Sequence, residues 1–436
     1  MSKLKALKGS VRSLLQKGVL HIFIGTCIAK FAELFSSALF SHMFDKNDFG
    51  IINYVENMYS YVFLAAGLGL TYIIYRYVVK ADDLREKHSY YSYAVKRAAM
   101  YDAVIFGIAV VVFLFVFPYK DGYEKAKYLM PVILLALPFQ SFFNSNLAVF
   151  RSMFDNKRYA VYACLTGLVF VGVKFLFAAL FKIDGIFFAR SIVYFAAGVT
   201  SYLVIKSKFF ENRSLFKADK VTTKKQIEFH KYGIQCMITN GIWILFSLNE
   251  VLLMGLLGNP EGVADYKTAL LFPSGLGLMS VAINVFVTPY FVKHEDDHKW
   301  VRKNLFRTIL ATAVPVGITG VLMCVLSRFI LNIYNPDYVN VAPLMCILVV
   351  AQSVSLVFRG NFANVLTATG RVTTNLLISF GGLLLQVAVV MLFTRNYGEY
   401  GIALTSVAVY ILMSVALCIA FLIHFKDDKK EQREAN

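Results

Sequence analysis

The sequence predicts an all-α membrane protein of twelve transmembrane helices in two six-helix lobes, with both termini in the cytoplasm. Three observations support this prediction. Apolar residues make up 58% of the 436 residues and charged residues 16%, the apolar residues form long stretches, and the positive charge lies mainly to one side of them. About 20 apolar residues cross the ~30 Å hydrocarbon core as a helix, whereas open sheets and long loops leave backbone groups unpaired in lipid.

The predicted spans are separated by short polar breaks. In chain order they are 19–43, 49–75, 95–117, 128–150, 159–181, 184–205, 232–257, 263–291, 303–327, 338–364, 373–394 and 399–424. None of the breaks between them is long enough to fold a soluble catalytic domain of ordinary size.

Basic residues follow the alternation of the breaks. The breaks form two alternating sets, each counted together with the span ends beside it. The set that includes both ends of the chain holds 32 of the 44 Lys and Arg, and the other set holds 8. This asymmetry is the positive-inside pattern and predicts cytoplasmic termini. The net charge of +17 is therefore attributed to topology and to attraction to anionic lipid headgroups, and no nucleic-acid partner is expected.

The longest polar break divides the predicted spans into two sets of six. The predicted segments are a cytoplasmic N-terminus at 1–18, an N-lobe at 19–205, a cytoplasmic linker at 206–231, a C-lobe at 232–424 and a cytoplasmic tail at 425–436. The halves resemble each other at three places, and the separation along the chain is nearly the same at each. These are Pro131 with Pro343, the turn 155–158 with 369–371, and the segment 182–186 with 399–402. Six-plus-six repeats commonly place a binding site between the halves.

Ionisable residues within spans are costly and usually face the protein interior or a wet cavity. In span 1, Lys30 and Glu33 lie on a polar stripe with a helical period, and spans 2, 7 and 10 carry similar stripes. A water-filled cleft between the halves would explain these stripes together. The alternative is that Lys30 and Glu33 form a local i,i+3 pair and that the other polar groups bond between helices.

Four cations within spans are predicted to bind an anionic substrate: Lys30, Lys174, Arg190 and Arg359. Arg grips phosphate through two N–H groups, whereas Lys acts as a point charge. Glu33 and Glu250, with Glu56 and Asp102 as further candidates, are predicted to couple transport to H⁺ or Na⁺, because a carboxyl in low dielectric can take up and release a proton. Asp102 and Arg190 lie close to span ends, where their side chains can reach the interface.

The segment from His294 to His298 fits the H-E-x-x-H zinc pattern. Both inner positions are Asp, the segment falls in a short cytoplasmic turn, and the sequence offers no third ligand. We interpret it as a solvated charged loop and predict neither a metal site nor a cofactor.

Several short motifs resemble those of one transporter superfamily. They are Asp48-Phe49-Gly50-Ile51, Ala66-Gly67-Leu68-Gly69-Leu70, the segment from Glu261 to Ala269, the Thr369-Gly370-Arg371 turn, and Gly398 to Gly401. Spread over the whole chain, they are similar to the multidrug/oligosaccharidyl-lipid/polysaccharide (MOP) exporter superfamily. Within it, the chain resembles the repeat-unit flippases of O-antigen and capsule synthesis (Wzx-type).

This resemblance implies two lobes in a V like that of the MATE transporters, with a lumen open to one membrane face at a time. It implies a cargo of oligosaccharide on undecaprenyl pyrophosphate, moved to the periplasmic leaflet of a bacterial inner membrane. The implied partners are membrane lipids, H⁺ or Na⁺, and the polysaccharide polymerase machinery, and no enzymatic activity is implied. A cationic lumen is common in such flippases and agrees with the four cations within spans.

Two other functions stay open from the sequence. A cation-coupled multidrug antiporter of the same superfamily would depend on acids in its lumen, with fewer cations. A membrane polysaccharide polymerase or ligase usually carries a large periplasmic loop, and the longest external break here has only about ten residues.

Overall fold

The computed structural model describes residues 19–210 and 220–425, and within these ranges it contains helices and no strand. In chain order the helices are α1 (Val19–Met43), α2 (Lys46–Leu64), α3 (Ala66–Val78), α4 (Leu84–Val116), α5 (Glu124–Leu134), α6 (Ala136–Ser152), α7 (Asn156–Phe209), α8 (Thr223–Leu257), α9 (Pro260–Ser274), α10 (Gly277–Lys293), α11 (His298–Val325), α12 (Ser327–Tyr334), α13 (Pro336–Ala368) and α14 (Val372–His424).

The length and composition of these helices confirm the predicted all-helical membrane class. Among the described residues, six helices are long and apolar enough to cross a membrane, and nine candidate spans result when three bent pairs count as one each. One of the six, α7, contains both predicted spans 5 and 6, whereas α14 supplies two of them, Val372–Leu392 and Tyr397–His424. The total of twelve spans and the side of the termini stay predictions.

Four of the predicted spans are broken or bent in the described residues, and span 2 shows the cause of one break. Gly67, Leu68 and Gly69 have φ values of 56°, 47° and 74°, which end α2 and start α3 at an angle of 41°. The carboxylate of Asp102 accepts a hydrogen bond from the Gly67 amide at 2.7 Å. A Cβ on Gly69 would lie 2.2 Å from the carbonyl oxygen of Gly233, so the backbones meet there. Span 4 is interrupted between α5 and α6, span 8 is interrupted between α9 and α10, and span 7 bends by 56° within α8 after Ile242.

The last two helices of each predicted half repeat the same backbone geometry. Lys182 within α7 has φ 54° and ψ −136°, and Gly398 within α14 has φ 54° and ψ −135°. Phe154 and Gly370, in the turns before these helices, also share positive φ values, 57° and 79°. Both pairs have the same separation along the chain. The internal repeat is thus confirmed here, although the predicted alignment of the turn was a few positions out of register, because the turn has no common letter pattern in the two halves.

The chain divides into two compact units between Gly241 and Ile242, within α8. The linker predicted at 206–231 lies before this division. The first part of α8 belongs to unit 1 because its aromatic side chains pack there: the buried ring of Phe229 lies 4.7 Å from that of Tyr77. The polar composition of this segment predicts a linker, but the packing of its apolar face places it in unit 1 and sets the boundary between the units.

Ion pairs join breaks that the charge pattern assigns to the same side. Asp48 and Lys125, both in predicted external breaks, lie 2.6 Å apart. Asp155, in a predicted cytoplasmic break, pairs with Arg158 and with Lys208 of another cytoplasmic break. These contacts agree with the predicted alternation of the chain across the membrane.

The strained break in α7 leads to a stability prediction. At φ and ψ values of this kind a non-glycine residue stores ~1–3 kcal/mol. We expect Lys182→Gly to raise the free energy of unfolding by about 1 kcal/mol, after the ~0.4–1 kcal/mol entropy cost of glycine in the unfolded chain, and Gly398→Ala to lower it by about the same amount. Thermal unfolding in detergent measures both. Gly107→Ala, in a helix with open space around the site, is the control and should not destabilise. Destabilisation by Lys182→Gly would contradict the prediction.

The turn before α7 leads to a pH prediction. Burial raises the pKa of Asp155, but the salt bridges from Lys208 and Arg158 outweigh it and hold the pKa below its usual value. The ionised carboxylate therefore stabilises the fold at neutral pH, and this contribution is lost as pH falls through the lowered pKa. Asp155→Asn should lower stability by ~1 kcal/mol at pH 7, with a difference from the unmodified protein that shrinks in acid. Asp296→Asn, at an exposed position, should show no such pH-dependent difference.

Candidate functional site

Lys174, Arg190 and Glu56 form a charged cluster in unit 1, called here the N-unit cluster. Lys174 Nζ lies 2.6 Å and Arg190 Nη2 3.5 Å from the same oxygen, Glu56 Oε1. The Lys174 and Arg190 side chains are 9% and 14% exposed, and that of Glu56 is 29% exposed. Two cations share one carboxylate, so the cluster carries a net charge of +1.

The break at Lys182 explains why two residues of one helix meet. Lys174 and Arg190 lie eight residues before and eight residues after it. The chain reverses at the break, so equal distances along the two arms place the two cations at the same depth. Sequence reasoning proposed both residues, but it could not show that they share Glu56.

Aromatic rings complete the N-unit cluster. Lys174 Nζ lies 4.8 Å from the ring centroid of Phe40, and Arg190 Cζ lies 4.9 Å from that of Tyr59. Phe170 contacts both cations, at 5.7 and 5.1 Å. Cation–π contacts stabilise a positive charge without neutralising it, so the excess cation is retained in an apolar setting.

The remaining ionisable residues predicted in unit 1 also have partners in that unit. Lys30 and Glu33 form an ion pair at 2.8 Å, with side chains 20% and 58% exposed, which is the local i,i+3 pair described as the alternative from sequence. Asp102 is buried, and its carboxylate binds the Gly67 amide and the Ser141 side chain. Its position near a span end therefore does not expose it, and it fixes the break between α2 and α3.

Glu250 is the centre of a second cluster, in unit 2, called here the C-unit cluster. Its side chain is buried, with 1% exposed. Tyr266 donates to Oε2 at 2.9 Å, while Ser406 and Tyr410 donate to Oε1 at 2.6 and 3.2 Å. The Gln386 amide lies 3.4 Å from Oε1. Sequence reasoning found Glu250 but missed these four partners, because uncharged polar residues are common in transmembrane helices.

Arg359 belongs to the C-unit cluster through an aromatic ring. Its Nε donates to Ser355 Oγ at 2.9 Å, and its guanidinium carbon lies 4.9 Å from the ring of Tyr410 and 5.3 Å from that of Phe246. Tyr410 therefore presents its hydroxyl to Glu250 and its face to Arg359. Arg359 ends a π-helical turn, Ser355–Arg359, a local widening that often marks functional sites.

The two clusters share one pair of equivalent positions in the internal repeat. Ser406 and Tyr410 follow Arg190 and Tyr194 at the same separation that relates the strained backbone positions of the two units. Where unit 1 places an arginine, unit 2 places a serine that donates to a carboxylate. Applying this separation to the sequence would have identified Ser406 and Tyr410 beside the predicted residues.

The H-E-x-x-H segment does not bring its two histidines to one point. The His294 ring stacks on Trp300 at 4.2 Å, whereas the His298 ring contacts Phe425 at 5.1 Å. Each imidazole packs against a different aromatic neighbour. In the described part of the chain, no group of three or more His, Cys, Asp or Glu side chains is placed to hold a metal ion.

Solved structures share this fold over nearly the full chain. The lipid II flippase MurJ in an inward closed conformation aligns with a TM-score of 0.72 at 14% identity, covering 92% of this chain and 87% of its own. An inward-facing multidrug resistance MATE family transporter of the MOP superfamily aligns with a TM-score of 0.70 at 13% identity, covering 94% and 99%. A MOP superfamily transporter from Pyrococcus furiosus aligns with a TM-score of 0.66 at 12% identity, covering 95% and 96%.

At these identities the similarity shows the fold, and the family comes from sequence comparison. No curated protein sequence matches the chain significantly. The model of the family described as "Polysaccharide biosynthesis protein" matches residues 15–295, more than half of the chain. The chain therefore belongs to the polysaccharide biosynthesis protein family and has the fold of the MOP transporters, as its motifs predict.

Proposed function

We propose that this protein is a flippase for oligosaccharides linked to a polyprenyl pyrophosphate, with undecaprenyl pyrophosphate as the carrier. The observation that carries the proposal is the N-unit cluster, in which two largely buried cations share one carboxylate. An excess cation in an apolar setting is costly unless an anion complements it. Membership of a polysaccharide biosynthesis family supports the view that this anion is the pyrophosphate of a lipid-linked sugar.

The chemistry of the cluster fits a pyrophosphate. Arg190 offers several N–H donors in a plane, which suits two oxygens of one phosphate, and Lys174 adds a compact charge. Glu56 already holds both cations, so an incoming phosphate competes with its carboxylate. In this proposal Glu56 and the pyrophosphate exchange on the two cations. Binding is reversible because the cations have an anionic partner both when the pyrophosphate is bound and when it is released.

The transport cycle follows from the fold class. Alternating access would carry the bound pyrophosphate from the cytoplasmic to the periplasmic leaflet of a bacterial inner membrane, for O-antigen or capsule synthesis, with the polymerase machinery as the receiving partner. The lipid tail would stay in the bilayer. The water-filled cleft between the two halves stays a prediction from the sequence.

The C-unit cluster suits the coupling of transport to an ion. Glu250 is buried, is hydrogen-bonded by three hydroxyl groups, and forms no salt bridge within the described residues. Hydroxyl groups can reorient to accept from a protonated carboxyl or to donate to an ionised one. We propose Glu250 as the residue that takes up and releases H⁺, with Na⁺ as the other candidate ion.

The same residue favours a second candidate function, a cation-coupled multidrug antiporter. A buried carboxyl with hydroxyl partners could serve an antiporter without any anionic cargo. The N-unit cluster distinguishes the two functions, since a site with an excess positive charge repels a cationic drug.

Substitutions in the N-unit cluster should change affinity in opposite directions. We expect Lys174→Met to weaken binding of farnesyl pyrophosphate, a short polyprenyl pyrophosphate, at least tenfold, because it removes one cation and leaves Arg190 paired with Glu56. Glu56→Gln should strengthen the binding and slow transport, because it removes the competing carboxylate. Titration of the purified protein measures affinity, and flipping of a fluorescent polyprenyl-pyrophosphate disaccharide in proteoliposomes measures transport.

The matched control is Lys157→Met, which removes an exposed lysine from the same helix, α7. It should leave affinity and flipping unchanged. If Lys174→Met and Glu56→Gln reduce stability but leave affinity unchanged, the cluster is structural and the proposed cargo is wrong.

Substitution of Glu250 should separate coupling from cargo binding. We expect Glu250→Gln to abolish the dependence of flipping on a pH or Na⁺ gradient, because the amide cannot be protonated or bind a cation as a carboxylate, while farnesyl pyrophosphate binding persists. Gradient-driven efflux of a cationic dye is the matched assay for the second candidate. Dye efflux by the unmodified protein, with no flipping, would favour the antiporter.

A further inference from the structure

A pocket outside both clusters lies between α4 and the first part of α8, within unit 1. Its volume is about 440 Å³, and its lining includes Tyr93, Arg97, Tyr101, His230 and Lys231. Arg97 and Lys231 lie where predicted spans 3 and 7 begin, on the side that the charge pattern assigns to the cytoplasm. Tyrosines at this depth are typical of the membrane interface.

Hydrogen bonds organise the wall of this Arg97–Lys231 pocket. His230 Nδ1 donates to the Gln226 carbonyl at 2.8 Å, so in its neutral form Nε2 accepts from the Tyr101 hydroxyl at 2.7 Å. The guanidinium of Arg97 lies 5.9 Å from the Tyr93 ring. Contacts of the α4 tyrosines with His230 and its neighbours therefore join α4 to α8. Arg97 and Lys231 lie beside this hydrogen-bonded polar surface.

No acid lines the pocket, and the nearby acids have other partners. Glu228 accepts from Tyr77 at 2.7 Å and pairs with Lys225 at 3.2 Å, and Glu86 accepts from Tyr90. Over residues 19–210 and 220–425, neither Arg97 nor Lys231 takes part in a salt bridge. Two uncompensated cations at the edge of a cavity favour an anionic ligand.

Exposed apolar stripes continue from the pocket along both helices. On α4, Val104 and Ile108 follow Arg97 at offsets of seven and eleven residues, on the same face. On α8, Ile234 and Ile238 follow Lys231 at offsets of three and seven. These four side chains are 58%, 60%, 38% and 50% exposed, respectively. A cationic pocket at the interface suits a phosphate, and the two apolar stripes below it suit acyl chains. Free phosphate would not contact the stripes, so the combination favours a lipid.

We propose that the Arg97–Lys231 pocket binds the phosphate of an anionic diacyl phospholipid, whose two chains lie along the α4 and α8 stripes. Basic pockets between transmembrane helices on the cytoplasmic side bind anionic headgroups in this way. Arg97 and Lys231 bind the phosphate, and the hydroxyl of Thr223, which also lines the pocket, donates to it. The site is separate from the N-unit cluster, and it stands even if the proposed cargo is wrong.

The test uses the purified full chain and measures lipid binding by native mass spectrometry and by thermal stabilisation. Dioleoyl-phosphatidylglycerol is the probe, and the comparisons are dioleoyl-phosphatidylcholine, undecaprenyl phosphate and inorganic phosphate. The Arg97→Gln/Lys231→Gln double variant should bind phosphatidylglycerol about tenfold or more weakly than the unmodified protein. The matched control, Lys96→Gln/Lys224→Gln, removes one exposed lysine from each of the same helices outside the pocket lining and should bind it normally.

The expected result is preferential binding of phosphatidylglycerol that is lost in the pocket variant and kept in the control. Equal losses in both double variants would overturn the proposal in favour of general attraction to a basic surface. Equal binding of phosphatidylcholine, or competition by inorganic phosphate at similar concentrations, would also overturn it. Preferential binding of undecaprenyl phosphate would replace the diacyl lipid with the single-chain carrier and overturn the assigned ligand.

Discussion

The absence of water in the hydrocarbon core is the constraint on which the rest of this structure depends. Backbone groups in the spans must be hydrogen-bonded within the protein, and a charge there is costly unless a partner complements it. The break between α2 and α3 shows the rule for backbone groups, because the carboxylate of Asp102 binds the amide freed at Gly67. The N-unit and C-unit clusters show it for charges, and each gathers partners from several helices.

The internal repeat gives the two units the same backbone geometry at the breaks in α7 and α14 but different side chains at equivalent positions. The shared dihedral angles at Lys182 and Gly398 place the two helices that follow these breaks in the same way. At one pair of equivalent positions unit 1 has Arg190 and unit 2 has Ser406, which donates to the buried Glu250. Divergence at a few side chains can thus leave one unit with an excess cation and the other with a buried acid, while the fold is kept.

The proposed cargo site and the proposed lipid site use the same kinds of residues at different predicted depths. Lys174 and Arg190 lie among aromatic rings within one helical hairpin and share a carboxylate. Arg97 and Lys231 lie where predicted spans 3 and 7 begin, beside exposed apolar stripes, and have no acidic partner in the described chain. In these two proposals, predicted depth and a competing carboxylate are what would distinguish a site for exchangeable cargo from a site for a resident lipid.

The sequence by itself determined the helical membrane class and the alternation of charged breaks, indicated the internal repeat, and proposed Lys174, Arg190, Glu250 and Arg359 as site residues. These follow from composition and from the cost of charge in lipid, which are local properties of the chain. Only the tertiary structure decided that Lys30 pairs with Glu33, that Asp102 binds a backbone amide, and that two cations share Glu56. The first pairing is one of two alternatives left open by the sequence. The other two depend on breaks at Gly67 and Lys182 that bring distant residues together, and a hydropathy pattern does not show where a helix bends.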